Sequence, residues 1–320
     1  MRFLLIINDY YYSSFLNDYF AKYYLNDVIL FLFILNRWMI FVLPSFYSAR
    51  KNIALVLAFF FSCQFVQAQG WLPMGSRSHA LGNASVAIDD IWAYHHNPAN
   101  LVSIDKISFG LSYENRFLLK ELQSQGFVFA MPMKVGVISV GAQTFGYKNF
   151  RTNRIGLGYS MKLADFLSCG VQLNYHQIRL NEPYGRKNTL TAELGLKARI
   201  TENWKVAFSV FNITRTKISD YNEDRLTTLM RLGTQYNFSK KVMVVAELEK
   251  NIEYPIRLKT GIEYSPMKKL FLRGGLATNP IELTAGIGYL FKDQFQIDMG
   301  TSYHQVLGWS PNFSFTYQLK

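Results

Sequence analysis

A repeat of two residues, in which apolar side chains alternate with polar or small ones, runs almost without interruption from Asp105 onwards. Residues 189–200, TLTAELGLKARI, place leucine, alanine and isoleucine on one side of an extended chain and charged residues on the other. Successive side chains of a β-strand point to opposite faces, so each such segment has one apolar and one polar face. With no amphipathic helix between the segments, the pattern predicts an all-β fold. The predicted strands cover 105–114, 124–132, 135–145, 151–162, 166–179, 188–200, 204–213, 226–238, 241–250, 255–264, 268–277, 280–290, 293–303 and 309–320.

The connections between these strands indicate which face meets the surroundings. Every second connection is short, as in TEN at 201–203 and SKK at 239–241, whereas the others tend to be longer, as at 180–188 and 214–225. Short turns at one rim and longer loops at the other are typical of bacterial outer-membrane barrels. Closing fourteen strands into a ring also leaves no unpaired strand edge in lipid. The sequence therefore predicts a 14-stranded antiparallel transmembrane β-barrel in the bacterial outer membrane, with a soluble all-β domain as the alternative.

Composition supports this interpretation. Hydrophobic residues make up 49% of the 320 residues, which is too few for a helical membrane protein, while aromatic residues reach 16%. Many of the aromatic rings stand at the ends of the apolar faces, among them Tyr159, Tyr236 and Trp309. Rings of this kind favour the boundary between lipid and water. Cys63 lies in a leader-like segment, so removal of the leader would leave Cys169 and no internal disulfide.

The N-terminal part of the chain, before the repeat, contains a predicted leader. Residues 50–69, RKNIALVLAFFFSCQFVQAQ, combine a basic start, an apolar run and a small-residue cleavage site, which predicts a signal peptide cleaved after Ala68. Residues 1–49 do not fit a leader, and we interpret them as an over-long N-terminal extension. A membrane helix around 28–43 is the competing interpretation, although it is short for a span. The predicted organisation is 1–68 as extension and signal peptide, 69–104 as a segment that precedes the barrel and 105–320 as the barrel.

The polar faces of the predicted strands carry charges of alternating sign on neighbouring strands. If these faces point inward, opposite charges come within reach of one another, and an unpaired charge in a confined lumen would be costly. The sequence therefore predicts an interior held by ion pairs around a plug, with a wet pore of solvated charges as the alternative. The predicted lumen network comprises Glu193, Lys197, Arg199, Arg231, Glu247, Glu249, Arg257, Lys259, Glu263, Arg273, Glu282 and Asp298.

Residues 75–101, GSRSHALGNASVAIDDIWAYHHNPANL, are rich in small residues and end in a turn-forming Asn-Pro-Ala. This stretch resembles the N-terminal signature of the FadL-like superfamily of outer-membrane proteins, which includes PorV-like and PorQ-like proteins. The resemblance implies a fourteen-stranded barrel whose N-terminal hatch, here residues 69–104, plugs the lumen. It also implies that the hatch charges meet inward partners such as Glu193 or Arg231. The matching residues include Gly75, Arg77, Gly82, Asp89, Asp90, Asn97, Pro98 and Ala99.

Three functions remain open from the sequence. A conduit for a hydrophobic or amphipathic small molecule would need a lateral opening or kinked strand near the hatch and an apolar pocket above it. A non-transporting PorV/PorQ-like barrel, serving type IX secretion or surface anchoring, would need a filled, ion-paired lumen. An outer-membrane lipid-modifying enzyme would need Ser and His within hydrogen-bond reach. No phosphate loop, zinc spacing or nucleophile elbow stands in the sequence, so we expect no enzyme activity, cofactor or metal.

The formal charge of +12 limits the kinds of partner that the chain is expected to bind. The basic residues are scattered and follow no nucleic-acid-binding motif, so we expect no nucleic acid. Those in the longer loops should lie at the outer rim, where outer-membrane lipids and lipopolysaccharide phosphates are the expected partners, and a solvated rim is the alternative. These rim residues are Arg116, Lys120, Lys148, Arg151, Arg154, Arg186, Lys187, Arg215 and Lys217.

Overall fold

The computed structural model describes residues 73–181, 185–217, 225–252 and 254–319. The predicted extension, signal peptide and cleavage site lie outside these ranges. Within the described ranges the chain forms fourteen strands. They are β1 (Ser108–Asn115), β2 (Gln123–Met133), β3 (Gly136–Gly146), β4 (Phe150–Lys162), β5 (Leu167–Leu180), β6 (Arg186–Arg199), β7 (Trp204–Phe211), β8 (Leu229–Asn237), β9 (Val242–Asn251), β10 (Arg257–Met267), β11 (Leu270–Ala277), β12 (Glu282–Phe291), β13 (Phe295–His304) and β14 (Gly308–Gln318).

Each strand pairs antiparallel with its neighbours in the chain, and β1 pairs with β14, so the sheet is a closed barrel. The predicted fourteen-stranded antiparallel fold is therefore confirmed. The connections that follow odd-numbered strands include the longest ones, 116–122 and 212–228, and they define the long-loop rim. The connections that follow even-numbered strands, such as 134–135 and 200–203, define the short-turn rim. Where a helix is described, none has both the length and the apolar composition that spanning a membrane requires.

The polarity of the barrel is the reverse of that of a soluble sheet. On β5, Gln172 is 1% exposed, whereas the neighbouring Leu173 is 66% exposed. On β6, Glu193 is buried while Leu190 is 67% exposed. Charged and amide side chains thus point into the barrel and large apolar side chains cover its outside, because the strand period of two separates them onto opposite faces.

The wall is least regular near β7. This strand pairs with β6 only between Leu194 and Arg199, so the first half of β6 extends beyond it toward the long-loop rim. Asn212, which directly follows β7, has a φ of 55° and turns the chain out of the ladder. Its buried side-chain amide donates to the carbonyl oxygen of Leu226 at 2.8 Å and so fixes the loop that leads to β8. A second irregularity is a register shift between β10 and β11, at Tyr264 and Met267.

The segment before β1 lies inside the barrel. Its described part contains helix α1 (Ser76–Ala80), helix α2 (Ala93–His96) and a 3-10 helix (Pro98–Ser103). Asn97 caps the 3-10 helix, because its side-chain oxygen accepts from the backbone N–H of Ala99 at 3.1 Å and proline takes the first position, where no backbone donor is needed. We call residues 73–104 the hatch.

Candidate functional site: a lumen filled by the hatch

The hatch is held in the lumen by close packing against the wall. Met74, Trp92 and Tyr94 form a buried apolar cluster with residues of β2 and β3. Inward-facing glycines allow this close approach: a Cβ at Gly170 would lie 2.5 Å from the backbone of the hatch, and one at Gly195 would overlap the side chain of Asn97. These glycines therefore make room for the hatch, which occupies the space in the lumen that they leave.

Backbone groups of the hatch also bond to side chains of the wall. The N–H of Ser76 donates to Ser314 Oγ at 3.0 Å, and the N–H of Gly82 donates to Thr284 Oγ1 at 2.9 Å. The same threonine hydroxyl donates to the carbonyl oxygen of Ala80 at 2.9 Å. Both ends of the short helix α1 are thus satisfied by the barrel, which a five-residue helix cannot do for itself.

The first ion-pair cluster connects the hatch to β10, β11 and β13. Arg77 donates from Nε and Nη2 to the two carboxylate oxygens of Glu263, at 2.9 and 2.8 Å. Arg273 Nε donates to the same carboxylate at 2.6 Å, and its Nη1 donates to Asp298 at 2.5 Å. Arg77 Nη1 also lies 3.4 Å from Asp90. The cluster therefore alternates acid and base across the hatch and three strands, and its bidentate pair joins the hatch to β10.

A second cluster centres on Glu247 of β9. Lys259 Nζ lies 3.0 Å from Glu247 and 2.6 Å from Glu249, and the lysine side chain is 1% exposed. The other oxygen of Glu247 accepts from the backbone N–H groups of Ser85 and Val86, both at 2.8 Å. One wall carboxylate thus holds both a wall cation and the hatch backbone. Such a buried charge is tolerated only because these partners surround it.

The third cluster holds Asp89 of the hatch. Its two oxygens accept from Lys197 Nζ at 2.7 Å and from Lys205 Nζ at 2.5 Å. Lys197 also donates to Ser103 Oγ at 2.7 Å. Burial disfavours the charged carboxylate, but the two ammonium groups outweigh it and lower the pKa of Asp89 below its ordinary value. For the adjacent Asp90, burial raises the pKa to about 6, although Arg77 opposes this shift.

A fourth cluster contains a residue that the sequence interpretation put at the outer rim. Arg154 is 6% exposed and points into the lumen, where Nη1 lies 3.3 Å from Glu193 and Nη2 donates to His95 Nδ1 at 2.8 Å. The rim assignment of Arg154 was wrong, because it shares the inward face of β4 with Gly156 and Gly158. Burial and Arg154 both lower the pKa of His95, which favours the neutral imidazole whose Nδ1 accepts from Arg154.

Four residues of the predicted network remain: three have partners inside the barrel, and the fourth, Arg199, lies at its rim. Arg257 pairs with Glu282 at 2.7 Å, and Arg231 is buried and donates to the carbonyl oxygen of His96. Arg199 lies outside the network: it is exposed at the last position of β6, and its guanidinium donates to the carbonyl oxygen of Asp165 at 3.1 Å. Its assignment to the lumen is corrected accordingly, since the position is at the short-turn rim.

The hatch charges meet other partners than those implied by the resemblance. Glu263 and Lys197, and not Glu193 or Arg231, contact Arg77 and Asp89 respectively. Lys205 was not among the predicted residues, although it shares a face with Ala207 and Ser209, and this alternation could have identified it. Across the described ranges, no three His, Cys, Asp or Glu side chains are grouped so as to hold a metal ion.

Comparison with known proteins adds a fold likeness. Neither the family models nor the curated proteins compared with this sequence give a match. Among solved structures, the toluene transporter TbuX of Ralstonia pickettii matches with a TM-score of 0.60 and 13% identity, over 81% of this chain and 100% of that one. The CymD monoaromatic hydrocarbon channel gives 0.60 and 13%, over 79% and 99%. A FadL homologue of Pseudomonas aeruginosa gives 0.57 and 12%, over 79% and 100%. At these identities the likeness establishes a shared barrel fold.

Proposed function

We propose that this chain is a FadL-like barrel of the bacterial outer membrane that moves a hydrophobic or amphipathic small molecule. The observation that carries the proposal is a closed fourteen-stranded barrel whose lumen is occupied by its own N-terminal segment, in a fold shared with a toluene transporter and a hydrocarbon channel. The reversed polarity supports the location, because a closed barrel with an apolar outside satisfies every strand in lipid.

The occupied lumen argues against an open, water-filled pore. Hatch residues Leu81, His95 and Leu101 are each fully buried, so a solute in the lumen meets the hatch directly. Passage then needs a shift of the hatch or a route between hatch and wall. The ion pairs of Arg77 and Asp89 join the hatch to two different parts of the wall, β10 in one case and β6 and β7 in the other, and we infer that they set the cost of such a shift.

The inner wall on the long-loop side of the hatch carries closely packed apolar side chains. Phe211 and Leu229 form a buried apolar pair on the inward faces of β7 and β8. The ring centroid of Phe211 lies 5.8 Å from the guanidinium carbon of Arg154 and 5.8 Å from the ring of His176. Phe145 packs against the apolar cluster of the hatch. An apolar body bordered by a few polar groups is the usual lining of a small-molecule site.

The experiment measures uptake in a Gram-negative host whose intact outer leaflet slows apolar probes. Cells that express the chain should accumulate N-phenylnaphthylamine faster than cells with an empty vector, and a competing monoaromatic hydrocarbon should slow this uptake. Phe211→Ala should reduce the rate several-fold. Phe208→Ala is the matched control, because Phe208 lies on the same strand and faces outward.

A different result would separate the alternatives. If the folded barrel reaches the outer membrane and probe uptake stays at the vector level, transport is contradicted and a non-transporting, surface-anchoring barrel becomes the better interpretation. If Phe208→Ala and Phe211→Ala reduce uptake equally, the inner apolar surface has no specific role.

A further inference from the structure

Three arginines lie side by side on the outside of the barrel near the long-loop rim. Arg151 of β4 is the register partner of Arg179 of β5, which is in turn the register partner of Arg186 of β6. All three are exposed and occupy the same outward face as Ile155 and Leu190. We call them the arginine row.

The row has no acidic partner in the described part of the chain, where none of the ion pairs contains any of these three arginines. Like charges directly opposite each other on neighbouring strands repel. Inside the same barrel, cross-strand charges are paired, as in Arg257 with Glu282 and Arg273 with Glu263. A row of like charges is therefore a local cost that a bound anion would remove.

A row of uncharged polar residues lies between the arginines and the apolar belt. Gln125, Thr144, Asn153, Gln177 and Asn188 are successive register partners across β2 to β6. Thr144 Oγ1 donates to Asn153 at 2.6 Å, and Asn153 donates to Gln177 at 3.4 Å. Polar side chains on the outward face mark the level at which hydrocarbon gives way to headgroups.

A groove of about 680 Å³ on the outside of the wall is lined by residues of this polar row, among them Gln125 and Asn153, and by the apolar side chains next to them. Its lining includes Leu111, Phe127, Ile155 and Tyr175, which are between 39% and 56% exposed. Ala142 stands between Phe127 and Ile155 in the register, and its short side chain leaves the space that forms the groove. Basic groups, polar groups and an apolar groove thus follow one another along the same strands.

We propose that the arginine row binds the phosphates of lipid A, the membrane anchor of lipopolysaccharide, with acyl chains of the same molecule in the groove. Guanidinium groups bind phosphate in a bidentate manner, and the arginines near the membrane surface add electrostatic attraction. A free phosphate would use the arginines but leave the groove without a role. The inference rests on the outer-membrane location in the proposed function, but not on transport.

The inference refines the expectation of a basic outer rim. Arg151 and Arg186 belong to the row, Arg179 was absent from the sequence prediction, and Arg154 faces inward. The sequence could not select the three, because which residues become neighbours depends on the register of three strands.

The test compares two triple variants of the purified, folded barrel in detergent. The first is Arg151→Gln, Arg179→Gln and Arg186→Gln. The matched control is Lys240→Gln, Lys241→Gln and Lys268→Gln, which makes the same change of charge at exposed positions of the short-turn rim. Retention of the heat-dependent shift in electrophoretic mobility verifies that each barrel is folded. Binding is measured by native mass spectrometry with bis-phosphorylated lipid A, with lipid A lacking both phosphates, and with inorganic phosphate.

We expect the arginine variant to bind phosphorylated lipid A at least about tenfold more weakly than the wild type, while the lysine control stays within about twofold. We expect phosphate-free lipid A to bind the wild type about as weakly as phosphorylated lipid A binds the arginine variant. Equal binding by the wild type and the arginine variant would overturn the proposal, as would equal binding of lipids with and without phosphates. If inorganic phosphate binds as tightly as lipid A, the site is a free-phosphate site and the lipid assignment fails.

Failure here and failure of the proposed function have different signatures. A wild-type barrel that supports normal probe uptake but does not bind phosphorylated lipid A would contradict the arginine row alone. Vector-level uptake with intact lipid A binding would contradict transport alone, since the binding assay uses isolated protein and needs no solute movement.

Discussion

Arg151 and Arg154 stand three residues apart on β4 and have opposite surroundings. Arg154 faces the lumen, is 6% exposed and pairs with Glu193. Arg151 faces outward and stands opposite another arginine. The strand period turns a small separation in sequence into a change from a buried, paired charge to an exposed one beside a like charge. The charge of Arg154 is therefore balanced within the lumen, whereas the outer face near the long-loop rim leaves positive charge for a partner.

The largest effect is expected from removing the buried member of this pair of arginines. Arg154→Gln leaves Glu193 in the lumen without its cation, which should lower the free energy of unfolding by about 3 kcal/mol. Arg151→Gln should change it by less than about 0.5 kcal/mol in either direction. Urea titration, followed by the heat-dependent mobility shift, measures both. Equal losses would contradict the contrast between the two faces.

The next effect concerns the attachment of the hatch. Asp89→Asn removes the charge that accepts from Lys197 and Lys205, and we expect a loss of about 1–2 kcal/mol in unfolding free energy. The loosened hatch should also raise the ionic current through single barrels in planar bilayers. Asp165→Asn, at an exposed position of the short-turn rim, is the control for charge. An unchanged current in Asp89→Asn would show that Asp89 does not keep the lumen closed.

The two adjacent hatch carboxylates should respond to pH in opposite directions. The pKa of Asp90 is raised by burial to about 6, so between about pH 4 and 6 the folded protein retains a proton that the unfolded chain, with a pKa of about 3.9, releases. Asp90 therefore makes stability fall as pH rises through this window. Asp89, with a lowered pKa, contributes stability that is present above its ordinary pKa and lost as pH falls through the lowered one.

The difference in unfolding free energy between the wild type and Asp90→Asn should therefore fall as pH rises from about 4 to 6, whereas the difference between the wild type and Asp89→Asn should stay level over this range. Urea titrations at intervals of half a pH unit measure this. A difference between the wild type and Asp90→Asn that does not change with pH would contradict the raised pKa of Asp90.

The smallest effect is expected on the outside of the barrel, at the arginine row. Arg179→Gln removes the central charge of the arginine row, and in detergent without anionic lipid it should stabilise the barrel by about 0.5 kcal/mol. The gain should shrink as salt is added, because salt screens exposed charges. Lys240→Gln should change little. Destabilisation of the lipid-free barrel by Arg179→Gln would contradict repulsion within the row.

The sequence was sufficient for the fold because the period of two recurs in every strand. In β5 and β6 it separates Gln172 and Glu193 from Leu173 and Leu194, and one set must face inward. Alternation assigns a face but not a depth: Arg199 follows the inward alternation of β6, yet it lies at the rim where the strand ends. Depth depends on where strands begin and end, which the pattern fixes only within a few residues.

Partners within the lumen were harder to predict than the lumen itself. Arg77 meets Glu263 and Asp89 meets Lys197, and these contacts depend on how the hatch is oriented inside a barrel with tilted strands. No local feature of residues 75–101 encodes that orientation. Arg154 is a different case, because the inward glycines two and four residues further along β4 already indicated its face.

The double acceptance by Glu247 has a consequence for how freely the hatch can vary. The carboxylate accepts from the main-chain N–H groups of Ser85 and Val86, so these two hydrogen bonds do not depend on the side chains at positions 85 and 86. Many substitutions at these two sites would leave that attachment intact, and proline, which lacks the N–H, is the clear exception. The side chains at positions 85 and 86 of the hatch can therefore change without loss of this attachment, as long as position 247 keeps a carboxylate.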